Sequence, residues 1–257
     1  MKKSIYIILI LIIFFQITKE KSIAQSSAGA NAEYETLSIV DMPTAGIIPK
    51  SFYDINASVY SGGGFLAELI FSPFNQFMVG LSYSVTNLIS NDELVFQNYP
   101  GIQIKWRIVN EQLAFPAIAI GINTQGYGDF NKDAKRYQIQ SPGAYIALSK
   151  SYDWALGSSA LHGGLNFSFE PRHKALNFYV GFEQSIHTYA SLNVEYNATL
   201  DDKEDLYLSK KGLLNASLRI PITSGFTFEF QFKDLFIHFK DSDNITRNIH
   251  FEFIKRI

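Results

Sequence analysis

Apolar and polar residues alternate through segment after segment of this chain, and that period of two limits its fold more than any other feature. Phe226, Phe228, Phe230 and Phe232 alternate with Thr227, Glu229, Gln231 and Lys233. Successive side chains of a strand point to opposite faces, so this segment has one aromatic face and one polar face. The first such segment runs about Ser51 to Tyr60, with Tyr53, Ile55, Ala57 and Val59 opposite Asp54, Asn56 and Ser58. Gly62-Gly63-Gly64 turns the chain into Phe65 to Phe71, and Ser72-Pro73-Phe74-Asn75 is expected to break that strand before Phe77 to Tyr83. Further strands are expected at Ile102 to Ile108, Phe115 to Asn123 and Tyr137 to Lys150, the last interrupted by Ser141-Pro142-Gly143. Leu161 to Glu170, Asn177 to Glu183, Ser191 to Asn197, Leu214 to Ile220, Phe226 to Lys233 and Asn248 to Phe253 complete the set.

Twelve strands is an even number, as a closed single-chain barrel needs. The even connections are short, as around Pro73 to Asn75 and Pro221 to Gly225. Several odd ones are long and polar, as at Asn87 to Pro100, Gln125 to Arg136, Thr199 to Lys211 and Asp234 to Asn244. Outer-membrane barrels show this asymmetry, with tight periplasmic turns and longer external loops. The first and seventh connections are shorter than the rule expects, and Ser151 to Ser159 is longer.

An export signal precedes the strands. Lys2 and Lys3 are followed by an apolar run from Ile5 to Phe15, and Ser22-Ile23-Ala24 puts small residues at a cleavage site. Cleavage after Ala24 removes four lysines and one glutamate from a chain of net charge −2, so the mature chain is mildly acidic. A nucleic-acid surface would be basic. With no cysteine there is no disulfide scaffold and no thiolate metal site. No later segment is apolar for about 18 residues, which excludes a helical membrane protein. Aromatic residues at 15% exceed what most soluble domains carry and fit the interfacial girdles of a barrel.

The expected fold is therefore all-β, a transmembrane antiparallel up-and-down barrel of about 12 strands behind a cleaved signal peptide. Residues 1–24 are the signal peptide, 25–45 a small, polar and aperiodic flexible segment, and 46–257 the barrel. A soluble sandwich also alternates. The inner face here, however, carries Glu68, Lys105, Arg107, Glu170, Glu183, Glu195, Arg219, Glu229 and Lys233. Side chains fill a barrel of about eight strands, whereas twelve leave a wide lumen able to hydrate or pair those charges. Lys105, Arg107, Arg219 and Lys233 could take an anionic solute or polymer. Pairing with Glu68, Glu183, Glu195 and Glu229 is the stronger expectation, because unpaired interior charges are costly.

The middle of the chain carries an ordered succession. Tyr99-Pro100-Gly101-Ile102 is followed by Lys105, Arg107 and Glu111, then Pro116-Ala117-Ile118-Ala119-Ile120-Gly121-Ile122 with Gln125-Gly126. Ser141-Pro142-Gly143 with Ser149-Lys150, His162-Gly163-Gly164-Leu165-Asn166 and Glu195-Tyr196-Asn197 complete it. This succession, over about Gly46 to Asp202, resembles the YjbH-like family of bacterial outer-membrane barrels associated with exopolysaccharide production. The resemblance implies an outer-membrane barrel with a part in polysaccharide export or assembly, here in a short single-barrel form. It implies no catalytic residues.

Other candidate chemistry is weak. His162, Asn166 and Ser168 share a strand face, but such neighbours are about 7 Å apart where nucleophile and base need about 3 Å. Asp201, Asp202, Glu204 and Asp205 could bind a hard cation, yet they lack the glycine and spacing of a calcium loop, and Lys203, Lys210 and Lys211 offset their charge. Asp129, Asn131 and Asp133 begin like such a loop without its closing glutamate. Gly62-Gly63-Gly64 is no phosphate loop, since no helix or lysine follows.

The sequence thus points to a non-enzymatic protein of the outer membrane of a diderm bacterium, both termini periplasmic, with no catalytic residue, cofactor or metal. Expected partners are outer-membrane lipid, exopolysaccharide or other envelope export components, and the barrel-assembly machinery, with no nucleic acid. A general solute pore and a barrel hydrolase are the alternatives.

Overall fold

The computed structural model describes residues 34–89, 93–131, 133–154, 157–170, 175–186, 189–202, 206–240 and 242–257. The expected signal peptide and residues 25–33 lie outside them. In chain order the strands are β1 (Phe52–Tyr60), β2 (Gly64–Phe74), β3 (Phe77–Thr86), β4 (Val95–Phe96), β5 (Gly101–Val109), β6 (Ala117–Asn123), β7 (Tyr127–Asn131) and β8 (Arg136–Ile139). β9 (Gly143–Trp154), β10 (Gly157–Phe167), β11 (Asn177–Ile186), β12 (Ala190–Asn197), β13 (Leu213–Thr223), β14 (Phe226–Lys233) and β15 (Thr246–Arg256) follow.

Twelve of these close into a barrel. Each strand pairs antiparallel with the next in the wall, in the order β1-β2-β3-β5-β6-β9-β10-β11-β12-β13-β14-β15. β15 returns to β1 in a register running from Phe52↔Arg256 to Val59↔Ile249. Closure leaves no unpaired edge in the wall, which a lipid-embedded sheet requires. β4 extends β3 beyond the wall, and β7 and β8 form a separate hairpin.

The faces are inverted relative to a soluble protein. Asp54, Asn56, Ser58, Ser82, Ser84, Asn193, Ser217 and Gln231 are buried, while Ile55, Leu69, Leu81, Ile104, Trp106, Leu161, Phe182, Leu192 and Phe230 are exposed. An apolar band facing outward around a closed sheet is a transmembrane barrel. Phe230→Arg, near the middle of β14, is therefore expected to cost about 2–4 kcal/mol if it lies at the bilayer midplane. Urea titration of the protein folded into vesicles measures this, and an unchanged midpoint would reverse the register assigned to β14.

The chain enters and leaves at the same end of the barrel, since β1 starts opposite the finish of β15. At this near end the connections are tight, at 75–76, 155–156, 187–189 and 224–225, with 110–116 the longest. The long 151–159 turn expected from sequence is shorter, because β9 runs on to Trp154 and β10 starts at Gly157. The far end carries the longer 87–100, 124–142, 168–176, 198–212 and 234–245 connections.

Three local expectations change. Tyr137 to Lys150 is two strands, because Arg136–Ile139 pairs with β7 outside the wall and the barrel strand starts at Gly143 with φ of 66°. Pro73 does not end its strand. It sits at the register shift between Phe71 and Phe74, where no ladder hydrogen bond needs its missing N–H. Glu170 lies three residues beyond the end of β10, so it belongs to a far-end loop and not to the inner wall.

Candidate functional site

The lumen is filled by the chain's own N-terminal segment. Residues 34–48 enter from the near end and fold back as a small hairpin, bridged at Ser38↔Pro43. Ile39 N donates to Met42 O at 2.9 Å and Thr44 N to Leu37 O at 3.1 Å. Ile39, Val40, Met42, Ala45 and Ile48 are almost wholly buried. The flexible segment expected over 25–45 is thus overturned from Tyr34 onward. Leu37, Ile39, Val40, Met42, Ile47 and Ile48 would leave too much apolar surface in water, and twelve strands enclose space that wall side chains alone do not fill.

Apolar contacts seat the hairpin from base to tip. Leu37, Ile47 and Ile48 pack with Ile70, Met78 and Ile254, and Ile39 and Met42 pack with Tyr179. Ala45 meets Ala117 and Ala119. Two glycines make the approach possible. A side chain at Gly46 would clash with Thr36 O, and one at Gly181 would meet Ile39 at 2.5 Å.

Polar contacts hold the tip. Glu195 Oε2 accepts hydrogen bonds from the backbone N–H groups of Val40, Asp41 and Met42 at 3.0, 2.9 and 2.8 Å. Its Oε1 accepts from Asn215 Nδ2 at 3.0 Å. Lys233 at the end of β14 pairs with Asp41, whose other oxygen accepts from Asn215 at 3.2 Å. Nearer the base, Lys105 Nζ donates to Leu37 O and Gly46 O at 2.9 and 3.1 Å. Arg107 Nε donates to Ala45 O at 2.9 Å and its guanidinium pairs with Glu35. Tyr179 OH donates to Pro43 O at 2.7 Å, and Thr36 Oγ1 donates to Glu183 Oε2 at 2.9 Å. Charge-assisted bonds of this kind are about twice as strong as neutral ones, and here water is largely excluded.

A second ionic group lies beside the hairpin. Arg219 Nε is 3.1 Å from Glu229 Oε2, and its Nη2 is 3.9 Å from Glu252. Asn56 Nδ2 donates to Asp54 Oδ2 at 2.8 Å, Ser58 Oγ and His250 Nδ1 are 2.8 Å apart, and Gln103 donates to Glu68. The space left between hairpin and this part of the wall is about 50 Å³, enough for a few waters and no saccharide-sized solute. A larger cavity of about 530 Å³ opens at the far mouth, beyond Lys233.

No protein-family model matches this chain, and no curated protein matches its sequence. Among solved structures it is similar to the NanC porin, at 10% identity and a TM-score of 0.44, over 80% of this chain and 99% of that one. It is also similar to a loop L8 deletion mutant of OmpT, an outer membrane protein of Vibrio cholerae. That likeness is 7% identity and a TM-score of 0.33, over 79% of this chain and 98% of the other. Closure of the wall and its inverted faces are what mark this chain as a membrane barrel.

The interior charges read from sequence divide into groups. Arg219 and Glu229 pair as expected. Lys105, Arg107 and Lys233 instead bind the hairpin, Glu195 binds its backbone, and Glu68 takes an amide. Glu170 Oε2 and Oε1 accept from the backbone N–H groups of Tyr137 and Ser141 at 3.0 and 2.9 Å, which ties the β7–β8 hairpin to the loop after β10. Burial raises its pKa above the ordinary carboxylate range. Glu35, Thr36 and Asp41 were not legible as site residues, because nothing periodic marks them.

His162, Asn166 and Ser168 are not brought together. Asn166 donates to Pro142 O at 3.0 Å and Ser168 Oγ accepts from Glu170 N at 3.3 Å. His162 Nδ1 instead meets Ser149 Oγ at 2.8 Å, and its Nε2 is 3.6 Å from Glu183. This serine, histidine and glutamate succession runs across three adjacent strands. Ser149 is fully buried and its Oγ accepts from Ala45 N at 2.9 Å, so the hairpin occupies the place of any substrate.

In the far-end loops Asp202 pairs with Arg136 at 2.7 Å. Burial pushes the Asp201 carboxyl up to about 6. Glu204 and Asp205 lie outside the described residues. Asn131 Oδ1 accepts from Asp133 N and Ala134 N at 3.0 and 2.9 Å, an ordinary turn cap.

Proposed function

We propose that this chain is a plugged, non-enzymatic outer-membrane barrel with a role in exopolysaccharide export or assembly. The observation that carries the plugged reading is the hairpin tip held by Glu195 through three backbone N–H groups in the middle of the lumen. A barrel closed in this way is unsuited to steady diffusion of small solutes. The ordered resemblance over Gly46 to Asp202 supports the polysaccharide role. The tight near-end turns support a periplasmic near end, and the apolar outer band supports contact with lipid. Assembly machinery and other envelope export components are the partners this reading requires.

A gated solute pore is the second reading. It is favoured by one observation: the backbone N–H groups of Val40, Asp41 and Met42 at the tip are held by the Glu195 carboxylate, a polar contact that water and ions can replace. A hydrolase is disfavoured, because Ser149 is sealed beneath the hairpin.

A deletion strain should lose or alter exopolysaccharide while taking up small solutes normally, and the purified barrel should show little steady conductance in a planar bilayer. Large stable channels from the wild-type protein, together with unchanged polysaccharide, would favour the pore instead.

A further inference from the structure

The far-mouth cavity of about 530 Å³ has the size and lining of a binding site. Lys233 lies in its floor and Arg247 at its edge, and no aspartate or glutamate is among the described residues lining it. Tyr60 and Tyr127 give it aromatic surface, and Asn87 and Gln138 give it amide donors and acceptors. Aromatic faces suit the C–H faces of a sugar ring, amides suit its hydroxyls, and a cationic lining with no carboxylate among its described residues selects a negative charge. Arg247 is exposed and forms no ion pair among the described residues.

Lys233 links this cavity to the plug. Its ammonium pairs with Asp41 at the hairpin tip and lies 4.2 Å from the centre of the Tyr127 ring. A buried cation does not give up one anion without gaining another. A ligand carboxylate in the cavity supplies that replacement, and Asp41 keeps its bond to Asn215 when Lys233 turns away.

We propose that the far-mouth cavity binds a negatively charged saccharide unit through Lys233 and Arg247, and that binding draws Lys233 from Asp41 and loosens the plug tip. This deepens the polysaccharide reading and rests on it for the choice of a sugar.

The test is calorimetric titration of the folded barrel in detergent with trigalacturonate, and with maltotriose as a neutral sugar of equal length. Trigalacturonate should bind at least about tenfold more tightly than maltotriose. Arg247→Gln, which leaves the plug contacts intact, should weaken trigalacturonate several-fold, and Lys233→Gln should weaken it further. Amide hydrogen exchange over residues 37–44 should speed up when trigalacturonate is added. Equal binding of the two sugars, no binding of either, or no loss in Arg247→Gln overturns the site. Binding that leaves exchange at 37–44 unchanged overturns the link to the plug. Trigalacturonate binding alongside normal polysaccharide in the deletion strain would keep the site and reject the polysaccharide role.

Discussion

Arg219→Gln is expected to lose about 3–5 kcal/mol of barrel stability, the cost of leaving a buried charge without its partner. Arg219 faces Glu229 at 3.1 Å and Glu252 at 3.9 Å, all three buried. Asp54 and Glu68 line the same side of the lumen, and among the described residues no second arginine or lysine pairs with them. Removing the guanidinium leaves these buried carboxylates without their cation, and the space of about 50 Å³ that Glu68 and Glu252 line admits only a few waters. Urea titration read by the gel-mobility difference between folded and heated barrel measures the loss. Arg219→Gln/Glu229→Gln should recover part of it, since the double change removes the charge left stranded. A single variant as stable as wild type would mean that bound ions or water already compensate the acidic side.

Glu195→Ala should release the plug tip while leaving the barrel closed. The mutation removes the acceptor for Val40, Asp41 and Met42 N–H and for Asn215. Hydrogen bonds to a charged group are worth about 1.5–3 kcal/mol each, part of which incoming water restores. A net loss of about 3–5 kcal/mol raises the undocked fraction by roughly two to three and a half powers of ten. In a planar bilayer the variant should show flickering openings that the wild type lacks, and hydrogen exchange over 37–44 should accelerate. The apolar base around Ile48, Ile70 and Ile254 should keep the segment attached, so the openings should be brief. Wild-type conductance and unchanged exchange in this variant would show that the tip contacts do not hold the lumen shut.

Alternation was legible because it is local. Whether a side chain at Ile55, Leu192 or Phe230 faces out is decided by its place in a strand of period two, so the wall strands and their faces follow from the sequence, while the extent of Gly143–Trp154 and the short turn after it do not. The inner charges were legible for the same reason, save Glu170, where the strand ends before the pattern does.

Partners were not legible. Glu195 meets residues more than 150 positions away, and Lys233 meets Asp41 across 192. No periodicity within 34–48 signals such contacts, since the segment is a hairpin held by the wall and not by its own ladder. Its one clue was composition, six large apolar residues from Leu37 to Ile48 in a stretch otherwise small and polar. The sequence by itself determined a closed barrel with apolar outside and charged inside, because strand pleating and burial act residue by residue. Only the tertiary structure decided that the lumen is shut, because filling a space enclosed by twelve strands depends on which distant segment fits there, and no local pattern encodes that fit.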